Sequence, residues 1–307
     1  MKSNMKSKLA AALVLGLGLT AAQSQAEPTV QSTQAGRSTV YKDLSPSSLE
    51  DLSSPERIIA VTRGSSGASE IYGVLEQGEK VECMQCVPYV AELLTDKNPR
   101  TREISAWWLR RRVFGVFGKG EVYSQVVDRL QDSSQPALQR AYAAEALGEF
   151  LTQSSVKFVA KSAMEDPDAI VRVASVKALQ RLNTQGPNGE VGAAMADPDE
   201  EVRMTALRAS THINVFTDVE MVVERIDDES ARVRTRAAET LGAMRATDAV
   251  VGLIALAQSD SDANVRKAAV AALGNIGDQS ARPAVEAALK DSDSLVRDAA
   301  KIALRSL

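Results

Sequence analysis

One dipeptide recurs along this chain at an interval that leaves few folds open. The segments VRVASVKAL, VRMTALRAS, VRTRAAETL, VRKAAVAAL and VRDAAKIAL begin at Val171, Val202, Val233, Val265 and Val296. Their arginines, Arg172, Arg203, Arg234, Arg266 and Arg297, therefore stand 31, 31, 32 and 31 residues apart. An earlier copy, QRAYAAEAL, sets Arg140 another 32 residues back. TREISAWWL sets Arg102 a further 38 back, the excess being extra chain between Arg110 and Gly120. Within a unit, the residue before the arginine and those four and eight positions beyond it share one helical face, as Val171, Ser175 and Leu179 do.

A second, shorter helical pattern precedes each of these segments: VKFVAKSAM, GEVGAAMA, TDVEMVVERI, AVVGLIALAQ and RPAVEAALK. The connections carry acidic turns, EDPD, DPDE, DDES, DSDAN and DSDS. Asp168, Asp199, Asp262 and Asp293 each sit four residues ahead of an arginine, with Ser230 at the same place once. Such residues cap the following helix and complement its positive end. One helix pair cannot bury its own apolar face, so successive pairs must stack. The expected fold is all-α, a right-handed α–α superhelix over residues 54–307. It forms one solenoid with an irregular N-terminal cap to about residue 125 and second helices lining one surface.

The helix pair of about 31 residues, the D-x-x-V-R junction and an Ala/Leu-rich second helix ending in Leu-Gly resemble HEAT-like repeats, of the short type found in the phycocyanobilin-lyase group. LGEF at 147–150, LGAM at 241–244 and LGNIGD at 273–278 stand where that type places its Leu-Gly ending. The resemblance covers roughly residues 70–307. It implies that acidic and arginine positions form a ladder between neighbouring repeats. Arg102, Arg140, Arg172, Arg203, Arg234, Arg266 and Arg297, with Asp168, Asp199, Asp262 and Asp293, are then structural. Lyase activity is not expected to carry over, because the repeats hold no cysteine or histidine cluster.

The chain ahead of the repeats bears on compartment. Residues 1–26, MKSNMKSKLAAALVLGLGLTAAQSQA, have three lysines, an apolar run from Leu9 to Leu19 and small residues ending at Ala26. That order is the signature of an export signal, and the run is too short to span a bilayer. No integral membrane segment is expected after cleavage, and the expected location is the periplasm or the extracellular space. Residues 27–53 are rich in Ser, Thr, Gln and Pro and read as a flexible leader. Removing Lys2, Lys6 and Lys8 from 36 basic residues leaves 33 against 40 acidic ones, a net of −7 that argues against nucleic-acid binding.

Aromatic residues are scarce but clustered: ten of the twelve lie between Tyr72 and Phe158. The densest stretch is REISAWWLRRRVFGVFGKGEVY. In one reading Trp107, Phe114 and Phe117 are bulk that seals an end repeat. In the other, Trp107, Trp108, Arg110, Arg111, Arg112 and Phe117 form a recognition edge for an acidic protein partner, as binding hot spots are built.

Catalytic furniture is thin. His212 is the only histidine, about four repeats from Cys83 in sequence, which leaves no nucleophile–histidine pair. No metal site or cofactor is expected. Cys83 and Cys86 in VECMQCVPYVAELL are the only cysteines, and Val87 stands where covalent haem attachment needs histidine. Pro88 places the pair at a helix start, where residues i and i+3 meet disulfide geometry and the helix dipole favours thiolate. A structural disulfide, a redox-responsive pair and free thiols all stay open. The expected function is a non-enzymatic protein-binding or scaffolding module. The alternatives are a thiol-disulfide redox protein or sensor at Cys83/Cys86, and a small-molecule binder near Tyr89, Trp107 and Tyr142.

Overall fold

A computed structural model describes residues 53–114, 120–182, 188–214 and 216–307. The proposed signal, nearly all of the leader and Phe117 lie outside the described residues. Sixteen α-helices, and no strand, occur among the described residues. They fall into eight antiparallel pairs. These are α1 (Pro55–Arg63) with α2 (Ala68–Gln77), α3 (Val87–Glu92) with α4 (Pro99–Arg110), and α5 (Glu121–Gln131) with α6 (Ala137–Glu149). They continue as α7 (Val156–Glu165) with α8 (Ala169–Leu182), α9 (Asn188–Ala194) with α10 (Glu200–Ser210), and α11 (Val219–Val223) with α12 (Ala231–Met244). The last two are α13 (Val250–Ser259) with α14 (Ala263–Ile276), and α15 (Arg282–Ala288) with α16 (Ser294–Ala303). No described helix is long and apolar enough to cross a membrane.

The repeat grammar becomes packing. Val171, Val202, Val233, Val265 and Val296 are all fully buried, as are Ser175 and Leu179 on the face that begins at Val171. Burial of each Val or Leu is worth about 1.5–3 kcal/mol, a gain available only when pairs stack. The aspartates four residues ahead of the arginines cap their helices. Asp199 accepts from the backbone N–H groups of Glu201 and Val202 at 2.9 and 3.2 Å. Asp168, Asp262 and Asp293 accept from Ile170, Asn264 and Leu295.

The ladder between repeats uses a different set of acids. Arg140 reaches forward to Asp166, Arg172 to Asp197, Arg203 to Asp228, Arg234 to Asp260 and Arg266 to Asp291. Each of these aspartates lies two residues before the cap position of the following repeat. Arg172 is typical: Nε and Nη2 donate to the two Asp197 oxygens at 2.8 and 2.9 Å, while Nη1 turns back to the carbonyls of Asp166 and Pro167. One guanidinium thus fastens its own turn and the next. The aspartates are half-buried as residues, but their carboxylates are largely covered because both neighbouring repeats pack over that turn. Arg102 departs from the pattern: the equivalent place before α6 is Ser134, and Arg102 pairs instead with Glu145 at 2.9 Å.

Second helices pack against one another more closely than first helices do, so the stack bends toward them. The Leu-Gly endings explain how. A Cβ added at Gly148 would fall 2.9 Å from the Ala178 Cα, at Gly242 2.7 Å from the Ala272 Cα, and at Gly274 2.7 Å from the Ala303 Cα. Glycine eight residues after the repeat arginine lets α6 meet α8, α12 meet α14 and α14 meet α16 almost backbone to backbone. Arg110, Gln180 and Thr211 occupy that place on α4, on α8 and just past α10. There the inner helices approach less closely, α4 to α6, α8 to α10 and α10 to α12.

Candidate functional site

The expected recognition edge divides on folding. Trp108 is completely buried: its Nε1–H donates to the Gly78 carbonyl at 2.9 Å, and the Arg112 guanidinium stacks 3.6 Å from its ring. Arg112 is buried too, donating to the carbonyls of Trp108, Glu79 and Val81 at 2.6, 2.6 and 2.8 Å. Burial and neighbouring Arg111 lower its pKa to about 10. Neither residue is available as a surface anchor. Both tie the 78–81 loop to the end of α4, because the last turn of that helix faces the α2–α3 connection. Arg111 remains exposed, 3.3 Å from Glu79, and Arg110 is half-buried. Trp107, a turn-position away, packs on the core from the inner surface and stays partly open.

Cys83 and Cys86 have their sulfurs 2.10 Å apart and are 5% and 0% exposed. His212 is exposed on the turn after α10 and bonds locally to Arg208 and Thr211. Tyr89 stands under Arg63, 5.1 Å from ring centre to guanidinium, and lines neither cavity described next.

The inner surface carries a more coherent arrangement. Four successive inner helices each present a pair spaced i, i+4, which places both members on one helical face. These are Tyr72 and Glu76 on α2, Glu103 and Trp107 on α4, Glu145 and Glu149 on α6, and Lys177 and Arg181 on α8. They line two adjoining cavities of about 360 and 260 Å³ that share Glu103, Glu149 and Arg181. The larger is walled by Tyr142, Ala146, Ala174 and Lys177, with Arg102 lying 3.7 Å over the Tyr142 ring. The smaller is walled by Tyr72, Glu76, Ile104 and Trp107. The groove opens at α4–α6, one of the junctions that lack the close-approach glycine.

Charge is divided along this groove. Arg181 forms an ion pair with Glu149. Glu149 is buried, and its carboxyl is pushed above the ordinary value, first by desolvation and then by Glu103; Arg181 and Arg110 act against that shift. Glu76, Glu103 and Lys177 make no ion pair or side-chain hydrogen bond among the described residues. The floor is thus acidic and aromatic toward α2 and basic at α8.

Of the expected site residues, Trp107 lines the smaller cavity and Tyr142, named for the small-molecule alternative, the larger, while Tyr89 lines neither; Arg102, expected as a ladder member, also walls the larger cavity. The remaining lining residues are not marked within any one segment, because each comes from a different repeat and they share a surface only when the inner helices stack. The usable signal was a row across repeats: the fifth residue after the repeat arginine gives Trp107, Glu145 and Lys177 in turn.

The model of HEAT repeats matches residues 219–305, and that of the HEAT repeat associated with sister chromatid cohesion matches residues 143–179. No curated protein sequence matches. Among solved structures, Kap95p with RanGDP is similar at TM-score 0.59 and 15% identity, over 82% of this chain and 38% of that one. The Escherichia coli protein YibA is similar at 0.52 and 18%, over 89% and 99%. The CpcE–CpcF phycocyanin lyase of Nostoc gives 0.39 and 19%, over 72% and 86%.

Proposed function

Because this chain is built of HEAT-like repeats, we propose that it is a non-enzymatic scaffold that docks a segment of a partner protein in the groove lined by α2, α4, α6 and α8. The observation that carries this is the continuous inner row of aromatic and charged pairs over two cavities with a shared wall. A repeat surface of this kind recognises by side chains projected from successive helices. Kap95p, whose fold this chain shares, binds RanGDP. Charge complementarity defines the occupant: an extended segment with basic character over α2–α6 and an acidic group near Lys177. We place the protein outside the cytoplasm on the strength of residues 1–26. There the Cys83–Cys86 pair acts as a disulfide staple, and its burial opposes the thiol-exchange alternative.

The test is photo-crosslinking from a benzoylphenylalanine placed at Lys177 and, as control, at Val251, which is 80% exposed on outer helix α13. A defined partner peptide joined from position 177 and not from 251 is expected. Joining from 251 alone would overturn the groove assignment.

A further inference from the structure

We propose that the smaller compartment, between α2, α4 and α6, receives the ammonium group of a lysine side chain carried by the docked segment. The inference rests on the groove reading and assigns chemistry to one end of it. The compartment, about 260 Å³, falls below the roughly 300–1,000 Å³ of sites that enclose a drug-sized ligand, and suits one long side chain. Buried Ile104 offers an apolar surface to a methylene stem. Tyr72 and Trp107 stand on neighbouring helices as aromatic walls, and an ammonium is attracted to such ring faces.

The carboxylates complete the selection. Glu76, Glu103 and Glu149 come from three different helices, and one basic residue, Arg181, lines the same compartment. Arg181 is already engaged by Glu149, which leaves Glu76 and Glu103 without a counter-charge among the described residues. An anionic ligand would meet uncompensated like charge. A guanidinium binds best to one carboxylate presented as a coplanar fork, whereas an ammonium is a compact charge with three rotatable donors. Acids dispersed on separate helices match the second geometry. A cation arriving there would also favour the charged form of the Glu149 carboxyl, opposing the desolvation that holds it above its ordinary value.

The probe is Nα-acetyl-lysine methylamide, titrated into the ¹⁵N-labelled protein while the two indole N–H signals are followed. A saturable shift of the Trp107 signal is expected, with the Trp108 signal fixed by its bond to Gly78. The Nε-acetylated probe, which lacks the charge, should produce no such shift. Glu76→Gln with Glu103→Gln, both at exposed positions, should weaken the response at least tenfold without altering the melting temperature. No saturable shift, an equal response to the neutral probe, or unchanged affinity in the double variant would each overturn the lysine assignment. A partner crosslinked from position 177 with undiminished yield in the double variant would remove the lysine and leave the groove standing. A selective lysine response without any groove crosslink would keep the compartment and remove the docking reading.

Discussion

Replacing the same arginine at an interior and a terminal repeat separates the two jobs that each ladder residue performs. Arg172 and Asp197 are 11% and 8% exposed, and two hydrogen bonds join them across the repeat boundary. Arg172→Ala leaves the Asp197 carboxylate buried with one remaining bond, from the Asp199 N–H at 2.8 Å. Breaking a buried pair from one side costs about 3–5 kcal/mol. Arg297 keeps only the local half of the motif: its Nη1 donates to the carbonyls of Asp291 and Ser292 at 2.7 and 2.8 Å, and it has no carboxylate partner among the described residues. Those carbonyls can regain water, so Arg297→Ala should cost about 1–2 kcal/mol. At roughly 2–4 °C per kcal/mol for a domain of this size, a difference of about 1–4 kcal/mol should set the two variants about 2–16 °C apart in melting temperature. Circular dichroism melts at pH 7 measure this, with hydrogen exchange on α6–α10 and α15–α16 to detect a separately fraying end. Arg172→Asn combined with Asp197→Asn should cost less than the sum of the single changes. Equal losses at 172 and 297 would refute the reasoning, because the carbonyl bonds, and not the clamp between repeats, would then carry the stability.

Three further outcomes follow from the packing. Gly242→Ala drives a methyl into the Ala272 backbone and should destabilise by about 1–3 kcal/mol, whereas Gly189→Ala, which meets open space in a helix, should stabilise by roughly 0.5–1 kcal/mol; urea midpoints compare them. Trp108→Ala empties a sealed site and should cost about 3–5 kcal/mol, while Trp107→Ala should cost clearly less and act on groove binding; melts of both variants with the crosslinking assay distinguish the two roles. The Asp291 carboxyl is held at about 2, from 3.8, chiefly by its hydrogen bond to Arg266. Its folded value is depressed, so its stabilising contribution is present above the unfolded value and is lost as pH falls from 3.8 toward about 2. The stability gap between wild type and Asp291→Asn should therefore shrink across that window in urea titrations.

Periodicity made the helix pairs legible, because a face of buried residues every 31 or 32 positions has only one economical arrangement, and the caps at Asp168, Asp199, Asp262 and Asp293 are local bonds that a sequence displays directly. The ladder was legible only in part. Its arginines were evident, but their partners, Asp166, Asp197, Asp228, Asp260 and Asp291, lie about 25 residues away in sequence and become neighbours only when turns stack. The groove was less visible still. Trp107 and Trp108 are adjacent in the chain, yet a rotation of about 100° per residue sends one toward the inner surface and the other into the core.

Sequence by itself determined the local terms: which residues form helices, where those helices start, which face each must bury, and where glycine permits close approach. Tertiary structure decided which faces meet. That choice placed Arg112 over Trp108, opened the stack at α4–α6, and gathered Tyr72, Glu103, Glu149 and Arg181 from four helices around one cavity. The physical reason is range. Helix propensity and capping act within a turn, whereas burial and ion pairing depend on distances that stacking of the repeats alone establishes.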